Sequence, residues 1–158
     1  MSRLVLFVCT GNVCRSPMAM ALFNARAQRG NEAGVYSARS TGTWALDNTP
    51  ASDHAITAMA ERGIDLAAHR GQTVTREMID QAAVIIVMTR SHRDALVSEF
   101  PAARAKIHLM SELADRVYDI ADPYGGSLAE YQDCANALEN LMDVGYEKIK
   151  SWIQKTAH

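Results

Sequence analysis

Four short apolar runs, separated by longer segments with helical periodicity, constrain the fold of this 158-residue chain more than any other feature. Such alternation is typical of parallel strands joined by crossover helices. The predicted strands are residues 4–8, 35–40, 84–88 and 107–110. The pattern therefore predicts an α/β fold.

Capping residues predict where the helices begin and end. Ser16 followed by Pro17 is typical of an N-cap and a first helical position, so a helix should run from there to about Gly30, where glycine can close it. Ser127 and Glu130 have the spacing of a capping box, which predicts that the last helix begins at Ser127. Further helix starts are expected at Thr49, which also precedes a proline, at Thr75 and at Ser91.

Length, charge and cysteine content limit the class of protein. The 158 residues fit a single domain, which we expect to span residues 1–158. The net charge of -2 leaves no basic stripe for nucleic acid, and no segment approaches the roughly 18 apolar residues of a membrane helix. Three cysteines, an odd number, argue against an oxidising compartment. We therefore expect a cytoplasmic protein that binds neither nucleic acid nor membranes.

Residues 9–15, between the first predicted strand and the first predicted helix, read Cys-Thr-Gly-Asn-Val-Cys-Arg. In such a loop the backbone N–H groups of residues 10–15 can converge on one point, and the following helix adds its positive end. Gly11 and Asn12 suit the left-handed backbone of a tight turn. The loop is therefore a candidate binding site for a phosphate dianion.

Cys9 and Arg15 are the candidates for the chemistry of this loop. An anion at a helix N-terminus beside an arginine is stabilised, which favours the thiolate at Cys9 as a nucleophile for phosphorus. Arg15 can offer two parallel N–H bonds to phosphoryl oxygens. The alternative is a buried cysteine and an unrelated surface arginine. At ordinary residue frequencies, however, a chance Cys-x5-Arg followed by Ser or Thr has odds of about one in fifty.

Cys14 allows a second interpretation of the loop. Two thiols this close could form a disulfide, so Cys14 could protect Cys9 or take part in redox chemistry. Alternatively, Cys14 is a small buried side chain that packs the loop.

Residues 9–17, Cys-Thr-Gly-Asn-Val-Cys-Arg-Ser-Pro, resemble the loop Cys-x-Gly-Asn-x-Cys-Arg-Ser-Pro of the low-molecular-weight protein tyrosine phosphatases. Blocks at residues 40–44, 69–70, 87–89 and 122–125 also look like those of the family and follow its order. We therefore expect a four-stranded parallel sheet of strand order 2-1-3-4 with helices on both faces. The loop should lie at the carboxyl end of the first strand, because open α/β sheets bind ligands where the strand order reverses.

Asp122 lies in the longest stretch without predicted regular structure, residues 111–126, and long loops of this kind are often functional. The resemblance implies that Asp122 is the general acid that protonates the leaving group and then the base that activates water. A carboxylic acid can protonate a departing oxygen while Cys9 takes the phosphoryl group, which gives a covalent intermediate. In isolation, Asp-Pro is also a common turn element.

The resemblance also implies supporting roles around Cys9. Ser16 should hydrogen-bond the thiolate, and Asn12, Ser40 and His69 should form the network behind it. A helix cap, a strand end and a surface histidine are the ordinary alternatives for Ser16, Ser40 and His69. Neither a metal nor another cofactor is expected, because phosphoryl transfer through a cysteine needs none and the histidines lack metal-ligand spacing.

Trp44 and Tyr124 should rim the cleft and hold a flat substrate ring between them, although core packing or chance exposure would also explain two aromatic residues. The expected ligands are phosphorylated proteins, with phosphate or similar oxyanions in the loop. The predicted substrate-binding residues are Thr10, Gly11, Asn12, Val13, Cys14, Ser16, Trp44 and Tyr124.

One loop position bears on the substrate. Relatives selective for phosphoarginine carry threonine four residues after the nucleophile, whereas tyrosine phosphatases carry an apolar β-branched residue, and here that residue is Val13. An apolar wall suits an aromatic leaving group, so phosphotyrosine is expected. Phosphoarginine is the alternative, favoured by the short spacing from Ser40 to Trp44 and by residues 125–127, Gly-Gly-Ser.

Two further functions fit the sequence less well. An arsenate reductase of this family would need two more cysteines, and only Cys134 remains outside the loop. A silent phosphate-binding module would need neither the thiolate of Cys9 nor the acid at Asp122.

Overall fold

The computed structural model describes residues 2–156, in which parallel strands form one sheet of strand order 2-1-3-4. This order is the predicted one, and the four strands lie where the apolar runs placed them. In the central pairs Val8 is the partner of both Thr41 and Val87, and Val87 is also the partner of Leu109. The strand bounds are β1 Arg3–Cys9, β2 Tyr36–Gly42, β3 Val84–Val87 and β4 Ile107–Leu109.

The central strands are buried on both faces, which explains their unbroken apolar runs. In β1, Val5 and Phe7 belong to the core on one face of the sheet, whereas Leu6 and Val8 belong to the core on the other. A charge at residues 5–8 of β1 would therefore meet an apolar core whichever way it pointed.

Helices cover both faces of the sheet, as predicted. The first core contains side chains of the helices that begin at Arg15, Asp53 and Leu128, and the second contains those of the helices that begin at Arg76 and Arg90. The last helix buries Leu138, Leu141, Met142 and Ile149. The helix bounds are α1 Arg15–Arg29, α2 Asp53–Ala60, α3 Arg76–Gln81, α4 Arg90–Glu99 and α5 Leu128–Thr156.

The predicted start of the first helix is wrong by two residues. α1 begins at Arg15 with Cys14 at the N-cap, so Ser16 lies inside the first turn and its hydroxyl faces Cys9 instead of capping the helix. The helix end also differs in detail. Gly30 is the C-cap but has a φ of -85°, and the left-handed residue is Asn31, with a φ of 60°.

Two further predicted starts are displaced because tertiary contacts set the cap. α2 begins three residues after Pro50, since Pro50 pairs with Arg70 in an isolated bridge and the N–H of Ser52 donates to the carbonyl of Val13 at 2.9 Å. α4 is capped by Thr89 instead of Ser91.

Two capping predictions are confirmed. The hydroxyl oxygen of Thr75 accepts from the N–H of Met78 at the start of α3. Ser127 and Glu130 make the reciprocal bonds of a capping box at the start of α5.

The candidate site lies at the carboxyl end of β1, which has β2 on one side and β3 on the other. The chain passes from β1 to β2 on one side, and β3 lies on the other, so loops at the carboxyl ends of β1 and β3 enclose a crevice. Gly42, at the end of β2, lets the strands approach closely here, because a Cβ atom on it would collide with the carbonyl oxygen of Thr10.

Residues 2–156 also bear on whether membranes or metal ions are partners. None of the helices in this range is both long and apolar enough to cross a membrane. Within the same range, the acidic, histidine and cysteine side chains form no group of three or more suited to holding a metal ion.

Candidate active site

Cys9 ends β1 at the base of the loop, with its sulfur beside the first turn of α1. Cys9 is buried, and its Sγ lies 2.9 Å from the Oγ of Ser16. The Asn12 amide donates to that same hydroxyl oxygen at 2.8 Å. The hydroxyl hydrogen of Ser16 is therefore left for Cys9 or for the carbonyl of Thr41, which is farther away at 3.3 Å. A thiolate at Cys9 would be the stronger acceptor.

Asn12 holds the loop in a left-handed conformation, with a φ of 59° and no solvent exposure. Its Nδ2 also donates to the Oγ of Ser40 at 3.0 Å, and its Oδ1 accepts from the N–H of Gln72 at 3.0 Å. The carbonyl oxygen of Asn12 accepts from Nε2 of His69 at 2.8 Å. The structure thus brings together the predicted network of Asn12, Ser16, Ser40 and His69, and adds Gln72 to it.

The protonation of His69 follows from this contact. A carbonyl oxygen only accepts, so Nε2 of His69 carries the proton. Burial lowers the pKa of His69, the bond to Asn12 opposes that effect, and the charge of Arg70 adds to it. The neutral ring is favoured, with the proton on Nε2.

A backbone carbonyl holds one side of the Arg15 guanidinium in place. It is only 4% exposed, and its Nη1 donates to the carbonyl of Ile120 at 2.8 Å. Nη2 lies 3.5 Å from Oδ2 of Asp122, and Nε is buried without a hydrogen-bond partner in the described part of the chain. The edge formed by Nε and Nη2 can therefore donate two parallel bonds to a phosphoryl group.

The segment that carries Asp122 is tied to the end of β3 and to α4. The N–H of Ile120 donates to the carbonyl of Met88 at 2.9 Å. The backbone N–H and Nε of Arg90 donate to Oδ1 of Asp119 at 2.9 and 3.1 Å, and these bonds lower the pKa of Asp119. Asp122 follows as a half-exposed side chain beside Arg15. An irregular segment thus places one carboxylate at the mouth of the loop.

The cleft above the loop has a volume of about 540 Å³. Trp44 and Tyr124 stand at its rim, 78% and 71% exposed. Neither aromatic side chain belongs to the core, which leaves both free to contact a substrate ring. The lining residues are Cys9, Thr10, Gly11, Val13, Cys14, Arg15, Trp44, Leu46, Thr49, Pro50, Ala51, Ser52, Asp53, Asp122 and Tyr124.

Cys14 lies in a buried polar cluster on the α5 side of the loop. Its Sγ is 3.1 Å from the Oγ of Ser52 and 3.3 Å from the hydroxyl of Tyr131. Burial raises the pKa of the Cys14 thiol, and Cys9, Cys14 and Cys134 all carry free thiols. Cys14 is therefore a packed side chain, and its raised pKa favours the protonated thiol.

Several contributors to the site were not anticipated from the sequence. The carbonyl of Ile120 orients Arg15, but a carbonyl is present in every residue and leaves no trace in side-chain type. Ser52 and Tyr131 reach the loop from distant parts of the chain. His92 contacts Thr10 from the first turn of α4, and its position three residues after Thr89 is the signal that could have marked it as a capping residue.

A family model described as "Low molecular weight phosphotyrosine protein phosphatase" matches residues 4–155. The chain belongs to this family. This low-molecular-weight phosphatase is therefore a hydrolase of the class that the loop sequence indicated.

Similar proteins include phosphatases of two substrate classes. A protein-arginine-phosphatase of Geobacillus stearothermophilus is 39% identical over 148 residues, which cover 93% of this chain and 96% of that protein. A probable low molecular weight protein-tyrosine-phosphatase, EpsP of Ralstonia nicotianae, is 34% identical over 151 residues, which cover 96% of this chain and 99% of that protein.

A solved structure of similar fold comes from the first class. It is a YwlE arginine phosphatase mutant with a phosphorylated active-site serine, at a TM-score of 0.87 and 35% identity, and the match covers 93% of this phosphatase and 95% of that chain.

Proposed function

We propose that this phosphatase hydrolyses phosphotyrosine in proteins through a cysteinyl-phosphate intermediate. The observation that carries the proposal is the convergence of Cys9, Arg15 and Asp122 on one cleft. In this proposal Cys9 is the nucleophile, Arg15 binds the phosphoryl group and stabilises the transition state, and Asp122 is the general acid and base.

In the first step the thiolate of Cys9 attacks phosphorus and forms an S–P bond. The bond from phosphorus to the tyrosine oxygen breaks, and the carboxylic acid of Asp122 gives its proton to that oxygen. In the second step Asp122, now a carboxylate, takes a proton from water as the water oxygen attacks phosphorus. The S–P bond breaks, which releases inorganic phosphate and regenerates the thiolate.

The loop supplies the electrostatic part of this mechanism. Backbone N–H groups of residues 10–15 and the Nε–Nη2 edge of Arg15 would bind the three phosphoryl oxygens. The hydroxyl of Ser16, 2.9 Å from Cys9, would donate to the thiolate before attack and when it leaves again. Asn12, Ser40 and His69 would keep Ser16 and the loop in place.

Three side chains support phosphotyrosine as the substrate. Val13 is half-buried, packs against the core and lines the cleft, while Trp44 and Tyr124 offer exposed aromatic surface at its rim. An aromatic ring that entered between them would lie against apolar groups on several sides while its phosphate reached the loop.

Phosphoarginine in proteins is the second candidate substrate. The specific observation in its favour is the 39% identity to a protein named protein-arginine-phosphatase. The alternative of arsenate reduction lacks such support, because Cys134 is buried in α5 and burial raises its pKa to about 12.

We further propose that residues 1–158 act as one phosphatase domain in the cytoplasm. The match of the family over residues 4–155 supports the single domain. The odd number of cysteines, three, supports a reducing compartment.

The test compares kcat/KM on two peptides of one sequence that carry either phosphotyrosine or phosphoarginine. We expect higher kcat/KM on phosphotyrosine, and a shift of the ratio towards phosphoarginine in Val13→Thr but not in Val13→Ile, which keeps an apolar branched side chain. A wild-type preference for phosphoarginine would overturn the proposed substrate.

A further inference from the structure

His92 is a buried residue beside the phosphate loop that the proposed reaction leaves without a role. It lies in the first turn of α4 and is only 5% exposed. Its Nε2 is 2.8 Å from the Oγ1 of Thr10, the residue directly after the nucleophile. Because α4 follows β3 and Thr10 follows β1, this contact crosses the crevice between the two strands.

The hydrogen bonds around His92 determine its tautomer. The N–H of Thr89 donates to Nδ1 at 3.2 Å, so Nδ1 carries no proton. The ring proton is therefore on Nε2 and is donated to Thr10. The N–H of His92 in turn donates to the Oγ1 of Thr89 at 3.1 Å, which completes a capping box. Both ring nitrogens are thus used, and the ring cannot rotate without losing two bonds.

The charges around His92 favour this neutral form. Burial, followed by the positive charge of Arg15, lowers its pKa to about 4, whereas Asp119 and Asp122 act in the opposite direction. A protonated ring would also bring a second positive charge close to Arg15. The neutral ring keeps Nδ1 as an acceptor and Nε2 as a donor at neutral pH.

Thr10 is held from the opposite side by its backbone. Its carbonyl accepts from the N–H of Trp44 at 3.0 Å, and the carbonyl of Cys9 accepts from the N–H of Thr43 at 2.9 Å. These bonds attach this part of the loop to the end of β2. The side chain of Thr10 is thereby the link from the loop to α4, on the other side of the crevice.

We propose that His92 is a positioning residue that fixes the first turn of the phosphate loop through its hydrogen bond to Thr10. The inference rests on the proposed phosphatase mechanism, in which the N–H groups that follow Cys9 bind the phosphoryl oxygens. Loss of the bond leaves the nucleophile in place but loosens those N–H groups, so every phosphate monoester is affected to a similar extent, whatever its leaving group.

A double-mutant cycle on p-nitrophenyl phosphate tests this link. His92→Phe removes both ring nitrogens and Thr10→Val removes the hydroxyl at an exposed position. Each is expected to lower kcat/KM about fivefold to tenfold, and the double variant should lose no more than the worse single variant. The inhibition constant of inorganic phosphate should rise in each. His92→Gln, which offers a carbonyl to Thr89 and an amide N–H to Thr10, should recover most of the activity.

The proposal would be overturned if the two losses in kcat/KM were independent and multiplied in the double variant. It would also be overturned if His92→Gln lost as much kcat/KM as His92→Phe although it melted at the wild-type temperature. Cys9→Ser is measured in parallel. If Cys9→Ser is inactive while all His92 and Thr10 variants equal the wild type, only the positioning role fails. If Cys9→Ser retains turnover, the proposed mechanism fails.

Discussion

Nη2 of Arg15 lies 3.5 Å from Oδ2 of Asp122. Arg15 is buried and the carboxylate is half-exposed, so the pair joins the floor of the cleft to its rim. A phosphoryl group bound along the Nε–Nη2 edge of Arg15 would have the carboxyl of Asp122 beside its leaving group. This geometry is the basis for the proposed roles of Arg15 in phosphate binding and of Asp122 as the acid.

Asp122→Ala should slow hydrolysis of esters with poor leaving groups by about 100-fold and that of activated esters far less, because only a poor leaving group needs the proton. The measurement is kcat on a series of aryl phosphates that differ in leaving-group acidity. Asp115→Ala, a change to an exposed carboxylate that pairs with Lys148 away from the cleft, is the control and should leave the series unchanged. Equal losses across the series would exclude the acid role.

Arg15→Lys should lower kcat/KM by about 100-fold, because lysine keeps the charge but its single nitrogen cannot make two parallel bonds to a phosphoryl group while it also binds the carbonyl of Ile120. Steady-state kinetics and the inhibition constant of inorganic phosphate provide the readout. Arg93→Lys, a change to a partly exposed arginine paired with Glu112, serves as the matched control. Activity near that of the wild type in Arg15→Lys would show that charge alone suffices.

Asn12→Ala and Asn48→Ala separate backbone strain from hydrogen bonding. Both asparagines are left-handed, with φ of 59° and 67°, but only Asn12 has side-chain hydrogen bonds in the described structure. Asn48→Ala should cost about 1 kcal/mol of unfolding free energy, for the left-handed backbone alone. Asn12→Ala should cost about 3 kcal/mol, because buried partners also lose their bonds. Urea unfolding measures both, and equal costs would contradict the role given to the Asn12 side chain.

Stability should fall in acid partly through His92. Its pKa of about 4 in the folded protein is below the ordinary 6.5, so between these values the unfolded chain binds a proton that the folded chain does not. The contribution of His92 to the free energy of unfolding is therefore fully present above pH 6.5. It is lost as the pH falls towards 4, and the loss amounts to roughly 3 kcal/mol.

The comparison of urea unfolding at pH 7 and pH 4.5 between wild type and His92→Gln isolates that contribution, because glutamine does not titrate. The variant should lose less stability over this interval. His54→Gln, a change at an exposed histidine, is measured alongside as the control for replacing a histidine by glutamine. An identical pH dependence in His92→Gln and wild type would mean that His92 titrates alike in both states.

The sequence predicted the sheet and the loop well for physical reasons. Strands buried on both faces must be continuously apolar, so β1 and β3 stand out against the amphipathic helices. The loop was recognisable because a cysteinyl-phosphate mechanism requires definite side chains at Cys9 and Arg15, and Asp122 was singled out because the resemblance extended to its block.

Helix starts and distant contacts were harder to predict. Tertiary contacts can hold the backbone out of the helical conformation and so delay the start of a helix. The hydrogen bond from the N–H of Ser52 to the carbonyl of Val13 does this just before α2. The contact of His92 with Thr10 joins residues 82 positions apart, and no local pattern encodes such a pair. Ile120 contributes only its carbonyl, which every residue possesses.

Trapping the cysteinyl phosphate is the sharpest test of Cys9 as the nucleophile. Wild-type protein and Cys9→Ser are mixed with p-nitrophenyl phosphate, quenched within milliseconds to seconds, digested and examined by mass spectrometry under conditions that preserve thiophosphate esters. We expect one added phosphoryl group on the wild-type peptide that contains Cys9, and loss of turnover in Cys9→Ser. A phosphoryl group on another residue, or continued turnover in Cys9→Ser, would contradict it.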